Sequence, residues 1–155
     1  MGENNQGIKV ISQNRQARFL YEVLDTYEAG VRLIGTEVKS VRAGRANLRD
    51  GYAIIRNREA WLLNVHISPY QASGEYFNHD PRRTRKLLLH RKEIDKLYGQ
   101  VEQKGLTLVP LKMYLKGGLV KVSIALARGK KVRDKRETIK RREDEKEMQR
   151  VVKRY

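Results

Sequence analysis

Leu119-Val120-Lys121-Val122-Ser123-Ile124-Ala125-Leu126 is the stretch that decides the fold. Val120, Val122, Ile124 and Leu126 share one parity, and Lys121, Ser123 and Ala125 the other. Side chains alternate between the two faces of a strand, so this segment reads as a strand with one face in a core. Gly117-Gly118 stands just before it as a turn. Leu106 to Leu115 before that turn is strand-like, with Pro110 at an edge or a bulge because proline cannot donate to a ladder. The two segments make a hairpin, and the rest of the chain must supply its partners.

Working toward the N-terminus, a helix is predicted from about Arg91 to Gln103. Ile94, Leu97, Tyr98 and Val101 fall at helical spacing, and Gly105 follows its end. Arg85 to His90 is an apolar run behind basic residues. Residues 70–84 form a long loop, and loops of that length are functional or mobile. Tyr52–Arg56 and Ala60–Ile67 are two strands joined at Asn57-Arg58-Glu59, stopped at Pro69. Asp50-Gly51 is a turn.

Gly35 to Gly44 switches to helical spacing, with Val38 and Val41 on one side. Thr36 is the expected cap and Gly44 the expected stop. Lys39 and Arg42 lie on a solvent-facing strip, and Arg45 stands at the exit. Phe19 to Tyr27 alternates as a strand, Ala29-Gly30 reads as a turn, and Val31 to Ile34 as its return. Residues 8–18 form a polar, basic approach, and residues 1–7 are expected to be disordered. About six short strands and two to three helices result. A small β barrel fits them, because closure removes exposed edges.

Toward the C-terminus the pattern changes at Gly129-Lys130-Lys131-Val132-Arg133-Asp134-Lys135-Arg136. Apolar runs stop there and charge takes over. Residues 130–155 hold 12 Lys or Arg and 6 Asp or Glu, against 22 and 12 in the residues before. Met148, Val151, Val152 and Tyr155 lie on one side of a helix without a partner in the same segment. The expectation is a basic tail that is disordered when free and helical when bound.

The whole chain has 155 residues and a formal net charge of +16. That excess attracts a polyanion, commonly nucleic acid or an anionic membrane surface, and nucleic acid ranks well ahead of a merely soluble charged surface. There is no cysteine, which removes disulfides, thiolate metal sites and cysteine nucleophiles. No secretory leader and no apolar run of membrane-spanning length is seen, so a cytoplasmic protein is expected.

Enzymatic motifs are sparse. His66, His79 and His90 have no metal-ligand spacing. His79-Asp80 is the one dipeptide that invites a nuclease reading, but Asp80-Pro81 reads better as a turn. Neither a nucleophile elbow nor a phosphate loop is present. The expectation is therefore no catalytic residues, no metal and no cofactor. RNA binding has positive signs: Tyr21, Tyr52, Tyr70, Tyr76 and Tyr114 lie among cations. Arg82, Arg83, Arg85 and Lys86 place four cations in five positions, which repel one another unless phosphate lies near.

Several motifs together resemble one family. Asn14-Arg15-x-Ala17, Gly35-Thr36-Glu37-Val38-Lys39-Ser40-x-Arg42-x-Gly44, Ile67-x-Pro69-Tyr70, Asp80-Pro81-x-Arg83-x-Arg85-Lys86-Leu87-Leu88-Leu89 and Gly129-Lys130-Lys131-x-x-Asp134-Lys135-Arg136 are similar to the SsrA-binding (small protein B) family. The resemblance runs from about residue 8 to 155. It implies an oligonucleotide-binding-type (OB) barrel over 8–129 that grips the tRNA-like domain of transfer-messenger RNA. It also implies a tail, 130–155, that enters the empty mRNA channel of a stalled 70S ribosome, beside small-subunit RNA near the decoding centre. Elongation factor Tu would join indirectly through the aminoacylated RNA, with one copy of the protein per RNA.

Carried over by position, Asn14, Tyr21, Glu28 and Leu88 match the family's RNA-binding residues. Arg15, Lys39, Arg45 and Lys86 are added as contacts from their charge and place. In the tail, Asp134, Lys135 and Arg136 match the accommodation motif, Lys130 and Lys131 join them as expected contacts at the decoding centre, and Val151-Val152 match an apolar pair. Arg133 stands where the family has Tyr or His, and a guanidinium can also stack on a base.

Overall fold

The computed structural model describes residues 7–74, 77–130, 136, 139–144 and 146–147. In order, its elements are β1 (Ile8–Gln13), α1 (Arg15–Leu20), β2 (Tyr21–Val31), α2 (Gly35–Arg42), β3 (Ala46–Asn47), β4 (Tyr52–Arg56), β5 (Glu59–Leu63), β6 (His66–Ile67), β7 (Arg85–Leu88), α3 (Arg91–Lys104), β8 (Thr107–Lys116) and β9 (Leu119–Gly129). The strands pair as β8-β4-β5-β7-β2-β9 and then back to β8, a closed antiparallel ring. β1 joins the outside of this ring through β8, and β3 and β6 make a separate two-stranded sheet. The architecture is a mainly β barrel with added helices, as the alternation predicts.

The β8–β9 hairpin behaves as its sequence requires. Gly117 and Gly118 take φ values of 57° and 79°, a left-handed pair suited to a two-residue turn. Val122, Ile124 and Leu126 are buried in the barrel beside Leu62, Leu87, Leu108 and Met113. The register shifts between Pro110 and Lys112, so the proline sits at a bulge. α3 ends at Gly105 with φ 62°. Ile94 and Leu97 of α3 are buried, whereas Tyr98 is half exposed.

Four local expectations change. β1 is a strand where the sequence suggests an irregular approach; it lies at the rim and buries no continuous face. Phe19 and Leu20 close the short helix α1 rather than open a strand. β2 runs straight through Ala29-Gly30, where a turn was expected, because Gly30 lies opposite Leu88 and a Cβ there would meet the Leu88 Cβ at 3.3 Å. The strand expected over residues 60–67 breaks at Asn64, whose φ is 58°, and its end joins β3 instead.

α2 also begins differently. Its first turn is closed by the Ile34 N–H donating to Glu37 Oε1 at 2.8 Å, not by Thr36. Of the tail, Arg136, residues 139–144 and residues 146–147 are helical and exposed. The tail residues Lys131, Arg133, Asp134, Lys135, Val151 and Val152 lie outside the described residues, as do positions 1–6.

Candidate nucleic-acid interface

The outer face of β2, β9 and β8 is built by register. β2 pairs Thr26 with Ala125, Glu28 with Ser123 and Gly30 with Lys121. β9 in turn pairs Ser123 with Lys112 and Lys121 with Tyr114. Paired residues in an antiparallel ladder point to the same face. Since Val122 and Ile124 point inward, this whole set points outward.

One end of the face is roofed by α1. Ala17 packs on Val109, Leu111, Ala125 and Ala127, with Tyr21 and Val23 at the margin. Asn14 fixes the start of that helix: its Nδ2 donates to the Pro110 carbonyl at 3.0 Å and its backbone N–H to the Leu111 carbonyl at 2.7 Å. The bulge at Pro110 therefore supplies the acceptors that hold Asn14. Beside it opens a cavity of about 420 Å³ whose lining includes Asn14, Arg15, Arg18, Thr26, Lys112 and Ser123. It is polar and basic, the character a phosphate or ribose requires.

The middle of the face is centred on Glu28. Its carboxylate accepts from the Tyr114 hydroxyl and from Lys116 Nζ at 3.3 Å. The Tyr114 hydrogen bond, with Lys116 and Lys121 near, holds the Glu28 carboxyl below its usual range. Burial and the same carboxylate push the Tyr114 phenol well up, so it stays a donor. Lys112 Nζ lies 5.3 Å from the Tyr114 ring centroid.

The far end is apolar. Gly30, Leu33, Val38, Leu88 and Leu119 line a second cavity, of about 350 Å³. Leu88 is 52% exposed and Leu119 62%. Basic cavity, buttressed carboxylate and apolar groove thus succeed one another along β2. Asn14, Arg15, Glu28 and Leu88 are brought onto this one strip. Tyr21 lies at its roofed end and also lines a cavity with Tyr52 on the other side of α1.

The other expected site residues lie elsewhere or are already paired. Lys86 bonds Glu59 at 3.1 Å. Lys39 Nζ sits 5.4 Å from the Tyr70 ring centroid, on α2 away from the strip. Arg45 is exposed beyond the end of α2. Lys130 is tied to α1: its N–H donates to the Leu20 carbonyl at 2.9 Å and its Nζ to the Arg18 carbonyl at 2.8 Å.

The arginine cluster is corrected outright. Arg85 is fully buried, and its Nε donates to Glu37 Oε2 at 2.5 Å and its guanidinium to the Val65 carbonyl at 2.7 Å. Arg83 takes Glu37 Oε1 at 2.6 Å, and Arg82 takes Asn64 Oδ1 at 2.6 Å. Protein acceptors offset the repulsion among these cations, and the buried Arg85 is spent on the fold rather than on phosphate.

His79 likewise has a structural task. Nδ1 meets Thr36 Oγ1 at 2.9 Å and Nε2 meets the Ile67 carbonyl at 2.9 Å. Both ring nitrogens are occupied inside the protein, which leaves none for a reacting group. Lys112, Lys116 and Lys121 are among the strip residues that sequence reasoning did not single out, and Tyr114, noted there only as an aromatic among cations, joins them. The Lys121-Ser123 parity of β9 was the signal for this face.

The family model described as "SmpB protein" matches residues 11–154. The chain is 75% identical to the SsrA-binding protein of Gloeothece citriformis (strain PCC 7424) and 69% identical to that of Nostoc punctiforme (strain ATCC 29133 / PCC 73102). In both cases 100% of each chain is covered. A solved structure described as "tmRNA-SmpB: a journey to the center of the bacterial ribosome" matches with a TM-score of 0.66 and 53% identity, over 82% of this chain and 92% of that one. With a family model matched along nearly its full length and relatives at 69–75% identity over the whole chain, the chain belongs to the SmpB family of SsrA-binding proteins.

Proposed function

We propose that the chain binds the tRNA-like domain of transfer-messenger RNA and delivers it to stalled ribosomes for trans-translation. The observation that carries this reading is the continuous outer strip from Asn14 through Glu28 to Leu88. A basic pocket, a fixed carboxylate and an apolar groove in series recognise a folded RNA surface rather than charge alone. The carboxylate is telling: in a face held only by counterion release an acidic group would be a penalty.

The barrel grips the RNA and the basic tail probes the empty mRNA channel near the decoding centre. The two parts are divided at Lys130, whose bonds to α1 support that reading. One copy of the protein serves one RNA, and elongation factor Tu joins through the aminoacylated RNA. The protein acts in the cytoplasm and catalyses no reaction of its own. Among the described residues, no helix is long and apolar enough to cross a membrane.

The test is a titration against the isolated tRNA-like domain, with ordinary tRNA as competitor, at two salt concentrations. Preference for the tRNA-like domain that persists at the higher salt supports a shaped site. Equal binding of both RNAs that fades steeply with salt refutes it.

A further inference from the structure

Phe77 is 81% exposed, more than any other large apolar side chain among the described residues. Its neighbours are firmly held. Asn78 Oδ1 accepts from the Tyr70 N–H at 2.9 Å, and its Nδ2 donates to the Tyr70 and Gly74 carbonyls, both at 2.8 Å. His79 is buried and bonded to Thr36 and Ile67. Five hydrogen bonds thus fix the two residues that follow Phe77, while its own ring is left in water. Exposing a phenylalanine gives up the burial gain available to it. The chain is thus anchored immediately after Phe77, and from that anchor the ring is presented outward.

The surroundings suit nucleic acid. Tyr70, the residue Asn78 clamps, carries Lys39 over its ring at 5.4 Å. The Arg45 carbonyl accepts from Ser68 N–H at 3.0 Å, which brings the exposed end of α2 to the base of the same loop. Aromatic faces beside lysine and arginine are the pattern that holds unpaired bases and their phosphates.

This surface is separate from the strip on β2. α2 stands between them: Val38 lines the Leu88 cavity, whereas Lys39 covers Tyr70.

We propose that Phe77 is a stacking platform for an unpaired base of ribosomal RNA, with Lys39 holding the adjoining phosphate. The inference rests on the reading of the chain as a carrier of transfer-messenger RNA to the ribosome. It adds a contact made by the barrel domain on the side away from that RNA.

The experiment uses the full chain bound to transfer-messenger RNA. With p-benzoylphenylalanine in place of Phe77, photo-cross-linking on 70S ribosomes should mark a discrete ribosomal RNA position by primer extension. Phe77→Ala should weaken association of the complex with ribosomes about tenfold, and Phe77→Trp should retain it. Neither should alter affinity for the isolated tRNA-like domain or the thermal unfolding midpoint. Cross-links to the tRNA-like domain, to ribosomal protein or to nothing overturn the proposal, as does wild-type ribosome association of Phe77→Ala. Failure of the wild-type chain to retain the tRNA-like domain sinks the underlying functional reading, a separate and visible result.

Discussion

Glu37 and Arg85 meet at 2.5 Å with both side chains wholly shielded from solvent. The pair joins α2 to the start of β7, and Arg83 completes it at 2.6 Å from the second carboxylate oxygen. Burial alone would raise the Glu37 carboxyl; hydrogen bonds from Arg83, the Ile34 N–H and Arg85 outweigh it and leave the group below its usual range. Glu37→Gln keeps the shape and strands a buried guanidinium. A loss of about 3–5 kcal/mol is expected in urea unfolding. Because the folded group is depressed, its stabilisation is full above the unfolded value of about 4.3 and fades as pH falls through the folded value. The variant should therefore lose less stability between neutral and acid pH than the wild type. A parallel pH dependence of the two would contradict the assignment.

Glu28→Arg separates shape from charge. It adds a cation beside Lys116 and Lys121, so a site held by net charge would bind RNA more tightly. A site that depends on the Tyr114–Glu28 bond should bind it at least about tenfold more weakly. Leu88→Asn should act in the same direction by making the apolar groove polar, with little change in unfolding because Leu88 is half exposed. Gel-shift titration with the tRNA-like domain checks both.

Gly51 is a close approach of backbone to core. A Cβ there would lie 2.7 Å from Val65 Cγ2 and 2.9 Å from the Leu48 carbonyl oxygen. Gly51→Ala should cost about 1–3 kcal/mol from overpacking and lower the melting midpoint by several degrees. An unchanged midpoint in calorimetry would show that the β3–β4 connection yields.

Replacing Asp134, Lys135 and Arg136 together with Ala should leave RNA affinity within about twofold and abolish tagging in a reconstituted translation assay. This follows from the strip proposed on the barrel, whose described lining residues lie between Gln13 and Ser123. Loss of RNA binding would place part of the grip in the tail.

How much of this was readable beforehand depends on whether the cause is local. The β8–β9 hairpin, α3 and the bulge at Pro110 are set by neighbours in sequence, and they stand where the pattern puts them. β1 escaped notice because a rim strand buries too little to force alternation. Gly30 looked like a turn because its real reason, Leu88 on another strand, is 58 positions away. The partners of Arg83, Arg85 and Lys86 are Glu37 and Glu59, which no inspection of residues 82–86 could supply. The outer strip was half visible: Lys121 and Ser123 announced a polar face, but only the register with β2 and β8 set Glu28 and Tyr114 upon it.

The pairing of Tyr21 with Gly129 has a consequence for biosynthesis. β2 leaves the ribosome well before its long partner β9, which is the last strand among the described residues. Until residue 129 is free of the exit tunnel the ring stays open, the outer face lacks one of its three strands, and β2 waits with an unpaired edge. Such long-range closure is slow and exposes the waiting strand. A chain cut short anywhere before β9 therefore yields no partly working RNA carrier: competence arrives all at once, when β9 docks.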